Sequence, residues 1–416
     1  MSQSTSDNLY KDFETGRWKV RKFCLPNAYE YLLDIENITW AATGLIEDVG
    51  VNRFFEEASQ MIANSVFLFQ EGFFDAAFYS LRQSIEISIG TLYLTANPEK
   101  LSAWKKLEPG FESGKMADFL RSHESVFKEM RTKMAGFFDN IRIVQRKTNK
   151  YIHKQGFVSF YTTQRYTWSD HREDKIYQNI ILDFEEIIKV AIGAVAMYRL
   201  AIDPLPVILM DEELVMRSGD LITEAYSDEF VNKYIGLNNI ELYKQTDLYQ
   251  DYKSYFMLQE RQNDAIFDIV HWQFIDRGKI AAISEQIHLL SFIDKLAVAI
   301  MMCSTKIPQV YIEGFFHYTS DIKAKHTDIV IGNSYYEDFF TDNDKDNTDF
   351  NVLYKNISYL SRIKINDSFS YIESNEPLNS TEIEILKDVA KIFEDEYIRQ
   401  ESQVKKWLSE NGINIK

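Results

Sequence analysis

The chain has 416 residues, of which 45% are hydrophobic and 14% aromatic. That content excludes a disordered protein and is enough for two or three packed domains. A formal charge of −17 excludes bulk coating of nucleic acid. The only cysteines, Cys24 and Cys303, lack CxxC spacing; this excludes a disulfide framework or a cysteine zinc site and fits a reducing cytoplasm.

The opening stretch, "MSQSTSDNLYKDF", is polar, so no secretory signal is expected. Residues 1–45 read as an N-terminal extension. Helical patterns dominate residues 46–205. In "VNRFFEEASQMIANSVFLFQEG" the spacing puts Phe54, Ala58, Met61, Ser65 and Leu68 on one stripe, with Gly72 as the stop. The next pattern turns Phe74, Ala77, Leu81, Ile85, Ile89 and Leu92 inward, and Pro98 ends it. A third runs from about 114 to 155 through Met116, Leu120, Phe127, Met130, Met134, Phe138 and Ile141, with Gly136 as the expected break. A fourth, residues 175–203, is apolar on most sides and is expected at the centre. Four such helices with short connections predict an antiparallel bundle.

"IDPLPVILMDEEL" (202–214) places two prolines where the charge changes, so the domain boundary is expected there, near residue 205. Residues 1–205 hold 25 Lys+Arg against 27 Asp+Glu, a net of −2; residues 206–416 carry −15. This acidic half reads as an α+β domain with a small sheet, so the whole chain is expected to be mainly α. Residues 255–303 look helical, and 308–319, 327–333 and 356–365 look like strands. The apolar run 287–304 is interrupted by Asp294 and Lys295, whereas a membrane span needs about 20 apolar residues. A capping box, Thr381-x-x-Glu384, is expected to open a last helix running to Gly412, with Leu386, Val389, Phe393, Tyr397, Val404 and Leu408 inward.

Isolated candidates in these regions have plain readings. "DNDKDNTDFNVL" (342–353) imitates a calcium loop, but Asn347 replaces the Gly and Leu353 the bidentate Glu, so it reads as a solvated acidic loop. His317 and His326, with Asp321 or Asp328 near, read as surface strand histidines before they read as metal ligands. His123 falls on an apolar stripe and reads as core. No phosphate-cradling Gly loop, nucleophile elbow or dinucleotide fingerprint occurs, so no cofactor is expected.

"QRKTNKYIHKQG" (145–156) is different. Residues 115–154 carry ten Lys+Arg against four Asp+Glu, a net of +6. Arg146 and His153, seven residues apart on a helix, point within about 20° of each other. Asn149 and Lys150 flank that direction, Arg142 lies close to it and Lys147 adds charge, while Ile141, Val144, Tyr151 and Ile152 fall opposite. A solvated stripe usually mixes in Glu at helical spacing, yet residues 140–154 contain no acid at all. Such a face suits an anion. An imidazole there can move a proton at a ribose 2′-OH, a guanidinium can fork onto a phosphate, and an Asn can orient either. Together they suffice for metal-independent RNA cleavage, and a two-fold dimer would supply a second set.

Arg146-x6-His153 resembles the Arg-x4-6-His signature of the HEPN superfamily, helical-bundle domains many of which are ribonucleases in toxin and anti-phage systems. The helix pair with Gly72, Phe73, Ala76, Ala77, Arg82 and Glu86 is similar to the Gly-aromatic step and Arg-x3-Glu of that family. The resemblance covers roughly residues 50–203. It implies that Arg146 and His153 are the catalytic pair, sited at a homodimer interface, with RNA as substrate. Arg82 and Glu86 read first as an ordinary i,i+4 pair, and second as a support for Arg146 or His153. Gln155 stands where some members carry a Tyr, which points away from the subtype silenced by nucleotide transfer. A cytoplasmic endoribonuclease is therefore the first expectation, with residues 206–416 as a sensor, a restraint or the site of a protein partner. The alternative is a catalytically inactive dimerisation scaffold whose acidic half binds that partner.

Overall fold

A computed structural model of the chain describes residues 22, 24–43, 50–156, 170–219, 223–314, 316–323, 336, 340, 349–355, 357–366 and 368–410. It is mainly helical with one small antiparallel sheet near the C-terminus. The chain forms two compact units, residues 1–215 with 221–259, and residues 216–220 with 260–416. The expected boundary near 205 is thus displaced: the helical segment 228–257 belongs with the bundle, which its buried Tyr226, Phe230, Tyr234, Ile240 and Tyr243 join.

The first unit contains α1 (Ala28–Trp40), α2 (Val51–Gln70), α3 (Phe74–Ala96), α4 (Ser113–His123), α5 (Ser125–Lys133), α6 (Ala135–Ile152), α7 (Asp170–Leu200), α8 (Leu237–Tyr243) and α9 (Asp247–Met257). α3 lies at the centre, packed on α2, α4, α6 and α7. Gly72 makes the α2–α3 reversal: at φ 83° it takes the left-handed conformation, and the amide of Phe73 closes back on the carbonyl of Leu68 at 2.8 Å. Every residue expected on the inner stripe of α3 is buried. On α2 the buried stripe is Val51, Phe55, Ala58, Ile62, Ser65 and Phe69, rotated by one position from the expected one. The 114–155 pattern buries all seven expected apolar residues, but it breaks at Glu124 and Met134, not at Gly136. Glu124 ends α4 in extended backbone, and its carboxylate then caps α5 by accepting from the amides of Val126 and Phe127. His123 is exposed, stacked on Phe119 at 4.8 Å, which corrects its reading as core: α4 ends at that residue, past the last buried position, Leu120.

Residues 191–200 of α7 are all buried, so the helix is covered on every side along that length, as its apolar composition requires. At Gly193 an added Cβ would overlap the carbonyl oxygen of Tyr234, so only glycine lets the 231–235 turn approach this closely. Arg199 is 1% exposed; its Nη2 donates to Asn52 Oδ1 at 2.9 Å and its guanidinium lies 4.8 Å over the Phe55 ring.

The second unit contains α10 (Asp264–Trp272), α11 (Ile280–Glu285), α12 (Phe292–Met302), the strands β1 (Gln309–Ile312), β2 (Phe316–Thr319), β3 (Val352–Tyr354), β4 (Ser358–Ile365) and β5 (Ser368–Ser374), and α13 (Ser380–Glu410). The sheet order is β2-β1-β5-β4-β3, antiparallel throughout. The single strand expected at 308–319 is a hairpin, reversed where Glu313 and Gly314 take positive φ. Alternation assigns the two faces. Val310, Ile312, Tyr318, Ile363 and Ile372 share a core with residues of α12 and α13; Tyr311, Tyr354, Leu360 and Tyr371 share another with Tyr336 and Phe340. Asp294, which interrupts the apolar run, closes a capping box with Ser291 and accepts the Tyr318 hydroxyl at 2.7 Å. α13 is capped by Asn379, whose side chain accepts from the amides of Thr381 and Glu382, and not by Thr381 and Glu384. Among the described residues no helix is long and apolar enough to cross a membrane. The strand expected at 327–333, His326, Asp328 and residues 342–348 of the calcium-like loop lie outside the described residues.

His317 is buried, not on the surface: it faces Tyr311 across the hairpin with rings 4.4 Å apart, and its Nε2 donates to Gln309 Oε1 at 3.0 Å. Burial pushes its pKa down to about 4, against about 6.5 in an unfolded chain. The unfolded state then binds the extra proton first, so stability falls as pH drops below about 6.5 and the loss is complete near 4. The expected loss is about 2–3 kcal/mol. Denaturant titrations of the wild type and His317→Gln between pH 7 and 4 check it; equal pH dependence in the two proteins contradicts it.

Candidate active site

α6 presents the expected stripe. Phe138, Ile141, Val144 and Thr148 are buried against the bundle, and Tyr151, half-buried, stacks on Phe78 of α3 at 4.2 Å and donates to Asp183 of α7 at 2.5 Å. These contacts fix the rotation of the helix and turn Arg142, Arg146, Lys150 and His153 outward, all exposed. The helix stops at His153, whose amide still donates to the Asn149 carbonyl at 2.9 Å. Lys154 (φ 52°) and Gly156 (φ 84°) then turn the chain away.

His153 meets α3 here. Nη1 of Arg82 stands 3.3 Å from His153 Nε2. A guanidinium can only donate, so in this contact Nε2 is the acceptor. Arg82 is held in turn by Glu86, with Nε and Nη2 both 2.8 Å from Glu86 Oε1, and Glu86 also accepts from the Ser113 hydroxyl at 3.1 Å. The pair is about a quarter exposed or less, 26% for Arg82 and 18% for Glu86, which makes it firmer than a fully solvated i,i+4 pair. The chain Ser113–Glu86–Arg82–His153 therefore crosses three helices.

The other expected residues divide. Arg146 and Lys150 have no ion-pair partner among the described residues. Arg142 pairs with Asp139 at 3.1 Å. Lys147 turns to α7, where Asp183 and Glu186 hold it at 2.6 and 2.8 Å, so it is not part of the outward stripe. Asn149 is half-buried, and its Oδ1 is shielded from solvent without a hydrogen-bond donor among the described residues. Lys154 pairs with Asp75 of α3. Lys147 and Lys154 are thus neutralised by carboxylates of neighbouring helices, which a reading of one helix could not reveal, and Arg142 by one of its own helix. On the outward stripe of α6, Arg146 and Lys150 are the cations without an ion-pair partner among the described residues.

Sequence reasoning weighed Arg82 with Glu86 but missed the contact of Arg82 with His153, and missed Ser113. No spacing signal links residues 71 positions apart. Tyr79 was also missed: its ring is exposed one turn before Arg82 on the same face of α3, the face that carries Asp75 and Glu86. Among the described residues no three His, Cys, Asp or Glu side chains are placed to hold a metal ion.

Arg82 offers a test of this geometry. Removing its fork, as in Arg82→Ala, frees His153 and leaves Glu86 without its cation; Arg82→Lys keeps charge but loses the two-point grip. The ring resonances of His153, recorded by NMR at one fixed pH, are expected to move in both variants and in Glu86→Gln. An unchanged resonance in Arg82→Ala contradicts the contact.

Comparison with family models, curated proteins and solved structures returns no match to this chain.

Proposed function

We propose that the first unit carries a metal-independent endoribonuclease site of the HEPN type, in the manner of toxin and anti-phage defence proteins. The observation that carries this reading is the exposed imidazole of His153 held against Arg82 at the end of a stripe where Arg146 and Lys150 have no ion-pair partner among the described residues. In this reading a phosphodiester displaces His153 from Arg82, since phosphate oxygens are stronger acceptors for a guanidinium than a ring nitrogen. Nε2 is then free to take the ribose 2′-OH proton. The 2′-oxygen attacks phosphorus, the bond to the 5′-oxygen breaks, and Arg146 holds the charge that builds on the phosphoryl oxygens. Asn149 orients the group it faces, Lys150 and Arg142 meet flanking phosphates, and Glu86 keeps Arg82 aimed. The products are a 2′,3′-cyclic phosphate and a 5′-hydroxyl. A second copy of the stripe across a two-fold axis supplies the proton for the leaving oxygen. The second unit, with 18 Lys+Arg against 27 Asp+Glu and so a net charge of −9, takes the sensing or restraining role.

The test is purified protein and total RNA in excess chelator. Cleavage by the wild type and none by His153→Ala supports the reading. Equal behaviour of the two leaves the scaffold reading, which the neutralised Arg142, Lys147 and Lys154 favour.

A further inference from the structure

α13 is 31 residues long, yet the second unit covers only part of it. Leu386, Ala390, Phe393 and Tyr397 follow one another at spacings of four, three and four, the heptad rhythm of a helix seam. Burial fades along this one stripe. Leu386 is fully buried, Ala390 is 8% exposed, Phe393 and Tyr397 are half-buried, and Val404 is 56% exposed. Phe292 of α12 is the last group packed on it, 5.3 Å from the Phe393 ring and 6.1 Å from that of Tyr397. The apolar seam outlasts the core that it serves, and every described side chain from Ile398 to Lys406 is exposed.

The charges beside this uncovered length are not evenly spread. Glu394, Asp395 and Glu396 form an acidic block before its middle, and Lys405 and Lys406 a basic block after it. Paired parallel and in register, two copies would set acid on acid and lysine on lysine. Paired antiparallel about a point between Gln400 and Glu401, the acidic block of each copy lies along the lysines of the other, with 395 opposite 406 and 396 opposite 405, and position 397 meets position 404. A two-fold contact must be self-complementary, and this arrangement meets that condition. The intrahelical pairs Glu396–Arg399 and Glu401–Lys405 lie at the surface, with Glu396 half-buried, and exchange at little cost.

We propose that the 394–406 segment of α13 pairs antiparallel with the same segment of a second copy of this chain. The inference is independent of the nuclease reading, because it rests on the second unit alone. The overlapping length is short, on the order of 20 Å, so the contact belongs to the weak, transient class.

A weak symmetric contact is best trapped. Gln400→Cys, in a Cys24→Ser background because Cys24 is exposed, places two thiols beside the two-fold axis of the full-length protein. Mild oxidation is expected to give covalent dimer well above the Cys24→Ser control. Lys405→Glu with Lys406→Glu sets acid against acid and is expected to lower the yield several-fold. Adding Asp395→Lys and Glu396→Lys restores the complement in reverse and the yield with it. A yield at background, or one indifferent to both charge changes, overturns the proposal.

Discussion

Replacing His153 with Ala is expected to reduce RNA cleavage by about 10²–10⁴-fold, the usual contribution of a positioned acid–base group. The side chain is exposed, so the substitution leaves the bundle intact and its effect can be assigned to chemistry. Arg146→Ala is expected to cost about 10²–10³-fold, the range for losing one group that meets developing charge. Arg146→Lys recovers part of that, since it restores charge without the fork. Lys147→Ala is the informative contrast. It lies one residue from Arg146, but Asp183 and Glu186 hold it against α7, so cleavage is expected to stay within a few-fold of wild type. Initial rates on one oligoribonucleotide measure all four. A loss in Lys147→Ala equal to that in Arg146→Ala contradicts the assignment of the outward face.

Arg199→Met is expected to destabilise the first unit by about 3 kcal/mol, the cost of stripping one partner from a buried polar group. The guanidinium is 1% exposed, bonded to Asn52 and stacked on Phe55, while Asp203 one turn on is fully buried. Burial pushes the Asp203 carboxyl up, and Arg199 opposes that by favouring its charged form. Without Arg199 that carboxylate loses its nearest countercharge. Asp203→Asn keeps the Oδ1 that accepts the Leu205 amide at 2.9 Å and removes the charge. The double variant Arg199→Met/Asp203→Asn is therefore expected to be more stable than Arg199→Met alone. Urea unfolding of the three variants tests this; additive losses contradict a coupled pair.

Where hydrophobic periodicity was strong, the sequence already contained the structure. The inner faces of α3 and of the 114–155 segment, and the all-round burial of residues 191–200 of α7, follow from residue spacing. Breaks inside a continuous pattern did not, because Glu124 ends one helix and caps the next with a side chain that no spacing rule singles out. β5 escaped notice because "SFSYIES" places serines where strands usually carry branched residues. The domain limit was misplaced because prolines at 204 and 206 mark the end of α7, and the helices beyond return to the same core. At the site, the outward direction of Arg146, Lys150 and His153 was legible from the turn angle of one helix. Which cations are paired was not, since the carboxylates that claim Lys147 and Lys154 come from α7 and α3.

The central claim is cleavage through the ribose 2′-hydroxyl at His153. The most direct measurement uses an oligoribonucleotide cut by the wild-type protein in excess chelator, remade with a single 2′-deoxyribose 5′ of the scissile phosphate. Cleavage at that position is expected to vanish while the all-ribose substrate yields a 2′,3′-cyclic phosphate and a 5′-hydroxyl. Undiminished cutting of the deoxy-substituted strand, or cutting that persists in His153→Ala, contradicts it.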